Sequence, residues 1–185
     1  FPTIRANPTG RFEPFPLNDM QQAYWIGRQG DDQAGMHYFM ERRTSQFDFK
    51  RLCQAWDRLL GRHDMLRVVL TEDGQQRVLP HAPGTGAPEC IDLTLLGVEA
   101  QAERLSALRD ELAHYKADLT QWPQHRVYWC DVGGGGGCLM ISLDIWCIDG
   151  QSIQTLVSEL GRFYADPVCA LPEPGMTFRD YLLAS

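Results

Sequence analysis

One helical stripe constrains this chain more than any other feature of its sequence. Phe49, Leu52, Cys53, Trp56, Leu59 and Leu60 recur at i, i+3, i+4, i+7, i+10 and i+11, which places six apolar groups on one face of a helix. Such a face must be buried against another layer. Asp48 stands where an N-cap is needed and Gly61 where the helix can end. A second stripe, Ile153, Leu156, Val157, Leu160 and Phe163, follows Asp149 in the same way. A third, with Leu105, Leu108, Leu112 and Tyr115 inward, predicts a helix from about Val98 to Ala117. Asn18 and Gln21 have the form of a capping box, so a short helix is expected from Leu17 to about Arg28. Thr177, with Asp180 three residues on, starts another.

Between the helices lie segments of strand character. Met36–Arg43 is one candidate. Leu66–Leu70 is another, and Asp73-Gly74 supplies a hairpin turn into Gln76–Leu79. Arg126–Val132 and Cys138–Leu143 are joined by five consecutive glycines, Gly133–Gly137. Residues 29–36 and 80–90 are expected to be loops. Interleaved helices and strands with some hairpins predict an α/β (α+β) lobe, a mixed β-sheet covered by helices.

Composition excludes several functions. The formal net charge of −7 argues against a nucleic-acid backbone as partner, which requires a cationic footprint. Six cysteines without a CxxC pair, and five histidines without HxH or HxxxH spacing, give no metal site. There is no signal peptide and no apolar run near 20 residues. No membrane association and a cytoplasmic location with reduced thiols are therefore expected. The glycine run lacks the Lys-Ser/Thr of a phosphate cradle and reads as a hairpin connection. No GxSxG elbow is present.

The run Asp144-Ile145-Trp146-Cys147-Ile148-Asp149-Gly150-Gln151-Ser152 carries the candidate chemistry. An aspartate ends an apolar strand, and a second begins a helix five residues later. Ligands collect at such rims in α/β folds. Structural readings stand beside this one. Asp149 makes a good helix N-cap, Asp144 can pair with an arginine, and Ser152 can bond backbone within the first turn.

Four segments, in order, resemble the heterocyclization domains of nonribosomal peptide synthetases, within the condensation-domain superfamily. Residues Phe15 to Arg28 match the opening signature FPLTxxQxAYxxGR, with Asn18 in place of the usual Thr. Arg62-His63-Asp64-Met65-Leu66 followed by Asp73-Gly74-Gln75-Gln76 matches the second. Asp144, Asp149 and Ser152 match DxxxxDxxS, whereas ordinary condensation domains carry HHxxxDG. Thr177-Phe178-Arg179-Asp180-Tyr181 looks like the segment that closes the first lobe.

The resemblance implies a chloramphenicol-acetyltransferase-like lobe, one of two that form a V. Residues 1–185 would then be the N-terminal lobe, with the C-terminal lobe absent from this chain and this lobe alone inactive. Donor and acceptor carrier proteins would present thioesters on phosphopantetheine arms, with no cofactor bound directly. The implied reaction is amide formation with a carrier-bound Cys, Ser or Thr, then cyclodehydration to a thiazoline or oxazoline. Siderophore biosynthesis is a frequent setting. Asp144, Asp149 and Ser152 are the implied site residues, and Arg62 or Arg67 is expected to pair with Asp149 as structural support. A Thr and an Asp of the second lobe would assist dehydration. Amide formation without a ring, and a non-catalytic lobe that docks carrier proteins, are the competing readings.

Overall fold

Two long antiparallel strands, β5 (His125–Gly133) and β6 (Gly136–Asp144), organise the lobe by turning alternate side chains to two covered faces. Val127 and Trp129 of β5, with Leu139, Ile141 and Leu143 of β6, enter one core. Tyr128, Cys130, Cys138 and Met140 enter the other. Because both faces are covered, β6 is buried from Cys138 to Asp144 and reads as a continuous apolar run. β1 (His37–Thr44) pairs antiparallel with β6, and β4 (Glu89–Asp92) pairs parallel with β5. The sheet order is therefore β1-β6-β5-β4, a mixed sheet. The computed structural model describes residues 4–28, 37–84 and 86–184. The loop expected at 29–36 lies outside the described residues.

Helices α2 (Phe49–Arg62) and α4 (Gly150–Ala165) cover the first face, and α3 (Val98–Ala113) covers the second. The α2 stripe buries Leu52, Ala55, Trp56, Leu59 and Leu60, and Asp48 caps it by accepting the Arg51 N–H. Each fully buried large apolar side chain contributes roughly 1.5–3 kcal/mol. In α4 the buried row is Ile153, Leu156, Leu160 and Phe163. Val157 lies on the flank of that row and is exposed, contrary to the sequence reading. A small hairpin, β2 (Val68–Leu70) with β3 (Gln76–Val78), joins the N-terminal segment through Phe15, whose backbone bonds to Gln76 in both directions at 2.9 Å. Helix α1 (Asp19–Gly27) carries the expected capping box, and α5 (Phe178–Ala184) follows Thr177. Among the described residues no helix is long and apolar enough to cross a membrane.

Three elements differ from expectation. Asp64–Arg67 forms a 3-10 turn rather than the start of a strand, because Arg67 folds back under its own turn. Its guanidinium bonds the carbonyls of Leu60 and Leu79 and the Asp64 carboxylate. α3 stops at Ala113. The carbonyls beyond it are taken by tertiary donors: Arg28 at Ala117, Leu70 N–H at Leu119, and the Gln124 amide at Asp118, Leu119 and Gln121. Tyr115 therefore lies past the helix, with Arg126 over its ring at 4.4 Å. β4 falls within and just beyond a stretch expected to be loop, and its side chains show no alternation that would reveal it.

The glycine run has two physical causes. Gly133, Gly134 and Gly135 turn the hairpin with positive φ, where a Cβ is strained. Gly137 is needed for space: a Cβ there would stand 2.3 Å from the Cys130 carbonyl oxygen and 2.6 Å from the Trp129 ring. We expect Gly137→Ala to lower the urea midpoint by the equivalent of about 1–3 kcal/mol. Gly161→Ala, in α4 where a Cβ meets nothing within 4 Å, should raise it by about 0.5–1 kcal/mol. Equal midpoints for the two variants would contradict the packing described.

Candidate active site

Asp144 is the last residue of β6 and is fully buried. A buried carboxylate persists only where its charge and lone pairs are met. Arg28, the residue closing α1, meets the charge: its Nη2 lies 2.6 Å from Oδ1 and 2.5 Å from Oδ2. Oδ1 also accepts the backbone N–H of Trp146 at 2.9 Å, and the Asp144 carbonyl accepts that of Cys147 at 3.2 Å. The chain thus leaves the sheet by winding around its own carboxylate. His37 packs alongside with Nε2 3.8 Å from Oδ2. Burial holds its pKa below the usual histidine value, outweighing the pull of the Asp144 charge.

A second buried knot secures the same loop from α1. Gln21 lies seven residues before Arg28, two turns along the helix and so on the same face. Its Nε2 donates to the Trp146 carbonyl at 3.1 Å and to Gln76 Oε1 at 2.8 Å. Gln76 returns a bond to Gln21 Oε1 at 2.8 Å and donates to the Pro16 carbonyl at 2.8 Å. Both amides are buried, and their reciprocal pairing leaves no donor of either stranded.

The junction then opens onto a cavity of about 860 Å³. Tyr24, Tyr38, Ile145, Trp146, Asp149 and Ser152 form part of its wall, with His63 and Met176 among the other residues around it. Asp149 is exposed and caps α4, its Oδ1 accepting the Ser152 N–H at 2.7 Å. Hydrogen bonding from Ser152, backbone first and then side chain, holds its carboxyl below the usual aspartate range, so it is ionised at neutral pH. Asp144, by contrast, contributes nothing to the cavity wall. The two aspartates of the motif are thus separated, one locked inside and one at the opening.

The expected pairing of Asp149 with Arg62 or Arg67 is corrected. Arg62 lines the cavity, but its Nε donates to Glu159 at 2.9 Å and its Nη2 to the Pro172 carbonyl at 2.6 Å. Arg67 is buried among the Leu60 and Leu79 carbonyls and Asp64. The physical reason is local: the Ser152 amide satisfies Asp149, while Glu159 presents its carboxylate to the end of α2. Glu159 also meets His63 Nε2 at 2.6 Å. Burial pushes the Glu159 pKa up, but bonds from His63 and Arg62 outweigh it and the carboxyl titrates low. Sequence reasoning named none of Gln21, Arg28, Gln76 and Glu159 for these roles. For Gln21 and Arg28 the seven-residue spacing within the opening signature was the available signal.

These features define a sheet-and-helix lobe whose strand-to-helix junction faces a substrate-sized cleft. The chain belongs to the condensation-domain family, whose model matches residues 13–184. It is 35% identical over 180 residues to phenyloxazoline synthase MbtB of Mycolicibacterium paratuberculosis, covering 95% of this chain and 15% of that protein. It is 35% identical over 189 residues to pyochelin synthetase PchE of Pseudomonas aeruginosa, covering 98% of this chain and 13% of that one. The EpoB cyclization-docking bidomain from Sorangium cellulosum superposes with a TM-score of 0.93 at 32% identity, over 99% of this chain and 37% of the bidomain. The chain therefore spans a minor part of each of these relatives.

The buried pair sets a double-mutant test. Arg28→Ala strands the Asp144 charge and should cost about 3–5 kcal/mol, read by urea denaturation. Arg28→Ala with Asp144→Asn should recover a large part of that loss. Additive losses would contradict a direct pairing.

Proposed function

We propose that this chain is the N-terminal lobe of a heterocyclization domain, acting on a carrier-bound acyl donor and a carrier-bound Cys, Ser or Thr. The observation that carries the reading is the Asp144–Ser152 junction. Its loop holds Ile145 where an imidazole would serve ordinary condensation, while a carboxylate and a hydroxyl-bearing residue, Asp149 and Ser152, line the cleft. The similarity to phenyloxazoline synthase MbtB and to the EpoB cyclization-docking bidomain supports the same assignment. The partners we assign are donor and acceptor carrier proteins and a second lobe, with substrates borne on phosphopantetheine. Six free cysteines fit a cytoplasmic setting.

In this reading the acceptor amine attacks the donor thioester, forming an amide and releasing the carrier thiol. The acceptor's own thiol or hydroxyl then adds to the new carbonyl, and water leaves to give the ring. Ring closure is intramolecular, so holding the chain in a reactive conformer supplies much of the acceleration. Asp149 is ionised and accepts hydrogen bonds, which suits it to orient the attacking N–H, S–H or O–H. An ionised carboxylate is a base rather than an acid, so Asp149 can protonate the departing hydroxyl only after taking up a proton in an earlier step. Asp144 acts as a positioning residue through the loop it anchors.

The test supplies acyl-loaded and cysteinyl-loaded carriers to the two-lobed protein and weighs the product. A product lighter than the amide by one water is expected. Asp149→Asn keeps a cap of similar quality but removes the charge, and should slow ring formation about 100-fold. Amide without water loss would select a plain condensation domain, and no product would select a docking lobe.

A further inference from the structure

His63 belongs to the wall of the 860 Å³ cavity, and no step of the proposed reaction uses it. It closes α2, with its backbone N–H on the Leu59 carbonyl at 3.0 Å and its own carbonyl taking the Leu66 N–H at 3.1 Å. Its Nε2 lies 2.6 Å from Glu159 Oε2, and Glu159 is not part of the wall. Arg62 Nε donates to the same oxygen at 2.9 Å. The ring is therefore held from behind by a carboxylate that is itself held. Among the described residues Nδ1 has no bonding partner, yet it is not one of the buried unpartnered atoms, so it is open to solvent. The side chain is 23% exposed.

The carboxylate also decides what Nδ1 offers. Glu159 titrates low and is ionised at neutral pH, so it can only accept. In the neutral ring the hydrogen then sits on Nε2, and Nδ1 presents a bare lone pair. Such a nitrogen takes an N–H or O–H from whatever lies in the cleft.

Position along the cleft says which group that is. α4 rises about 1.5 Å per residue, so Glu159 stands roughly 15 Å beyond Asp149 along its axis. Ser152, Thr155 and Leu156 carry the wall across that interval. His63 is thus too far from Asp149 to act on the same proton, and stands where the chain leading to the reacting group must pass. In a pantetheine arm the outer amide nitrogen follows the sulfur by two ethylene units and the inner amide, roughly 8 Å when extended. A hydrogen bond at each end brings that length close to the span from Asp149 to His63.

We propose that His63 is a positioning residue for the acceptor arm: its Nδ1 accepts a hydrogen bond from the outer amide N–H of the pantetheine chain that bears the Cys, Ser or Thr. This rests on the carrier-borne acceptor of the reading above. No bond to the ring forms or breaks. Its contribution is to fix the arm's depth, so that the amine and the thiol or hydroxyl arrive at the Asp149 end of the cleft.

Two acceptors test this in the two-lobed protein with one acyl donor. The wild-type protein should use cysteinyl-pantetheine with a kcat/KM about fivefold above that for an analogue whose outer amide is an ester. His63→Ala should lower the value for cysteinyl-pantetheine about as much, mainly through KM, and leave the ester analogue unchanged. His63→Asn, which keeps an acceptor near the Nδ1 position, should restore most of the loss. Equal wild-type values for amide and ester overturn the proposal even where the variants do not fold. An equal loss for both acceptors in His63→Ala shows a merely structural role and also overturns it. If the wild-type protein forms amide but no ring, the cyclization reading alone has failed, and the comparison of acceptors still decides for His63. No product from either acceptor removes the carrier-borne acceptor, and the proposal falls with it.

Discussion

The site depends on one ion pair buried at the end of a strand. Asp144 has no access to water, and Arg28 reaches it from the end of α1. Without the guanidinium the carboxylate would have to take up a proton or drag the strand end outward, because an uncompensated charge there costs several kcal/mol. With it, the carboxylate becomes an acceptor around which the backbone of Trp146 is wound. The turn from β6 to α4 is thereby fixed by a side chain of the strand itself, with little dependence on loop sequence.

That arrangement gives the two motif aspartates opposite duties. Asp144 spends its charge inside the lobe, while Asp149 spends one oxygen on the α4 cap and stays in contact with solvent. Gln21 and Gln76 add a neutral clamp on the same loop, so α1, β3 and β6 converge on the peptide of Trp146. The cleft wall built this way is rigid. In the proposed reaction, whose second stage is the closure of a chain upon itself, such rigidity would help hold the reactive conformer.

Much of the scaffold was legible in the sequence. The stripe from Phe49 to Leu60 and the capping box at Asn18 and Gln21 gave helices within a few residues, because periodicity and capping are local properties. The mixed sheet covered by helices followed from the interleaving. β4 was missed because the exposed side chains around Glu89 show no alternation, and its strand character comes only from pairing with β5. The 3-10 turn at Asp64–Arg67 was missed because its cause is one guanidinium finding carbonyls of two other segments. At the site, the motif located the junction but not the partners. Arg62 or Arg67 was expected to pair with Asp149, yet Glu159 holds the first and Asp64 the second. The true partner of the buried aspartate, Arg28, lies 116 residues away, a separation at which sequence pattern says nothing about contact.

Amide hydrogen exchange at Trp146 tests this account most directly. Its N–H lies in a connecting segment between strand and helix, where loop amides ordinarily exchange fast. Bonded to a buried, arginine-paired carboxylate, it should exchange as slowly as the amides of β5 and β6, only when the lobe opens globally. Exchange at the rate of an exposed loop would show that the carboxylate does not hold the turn, and the separation of the two aspartates would lose its physical basis.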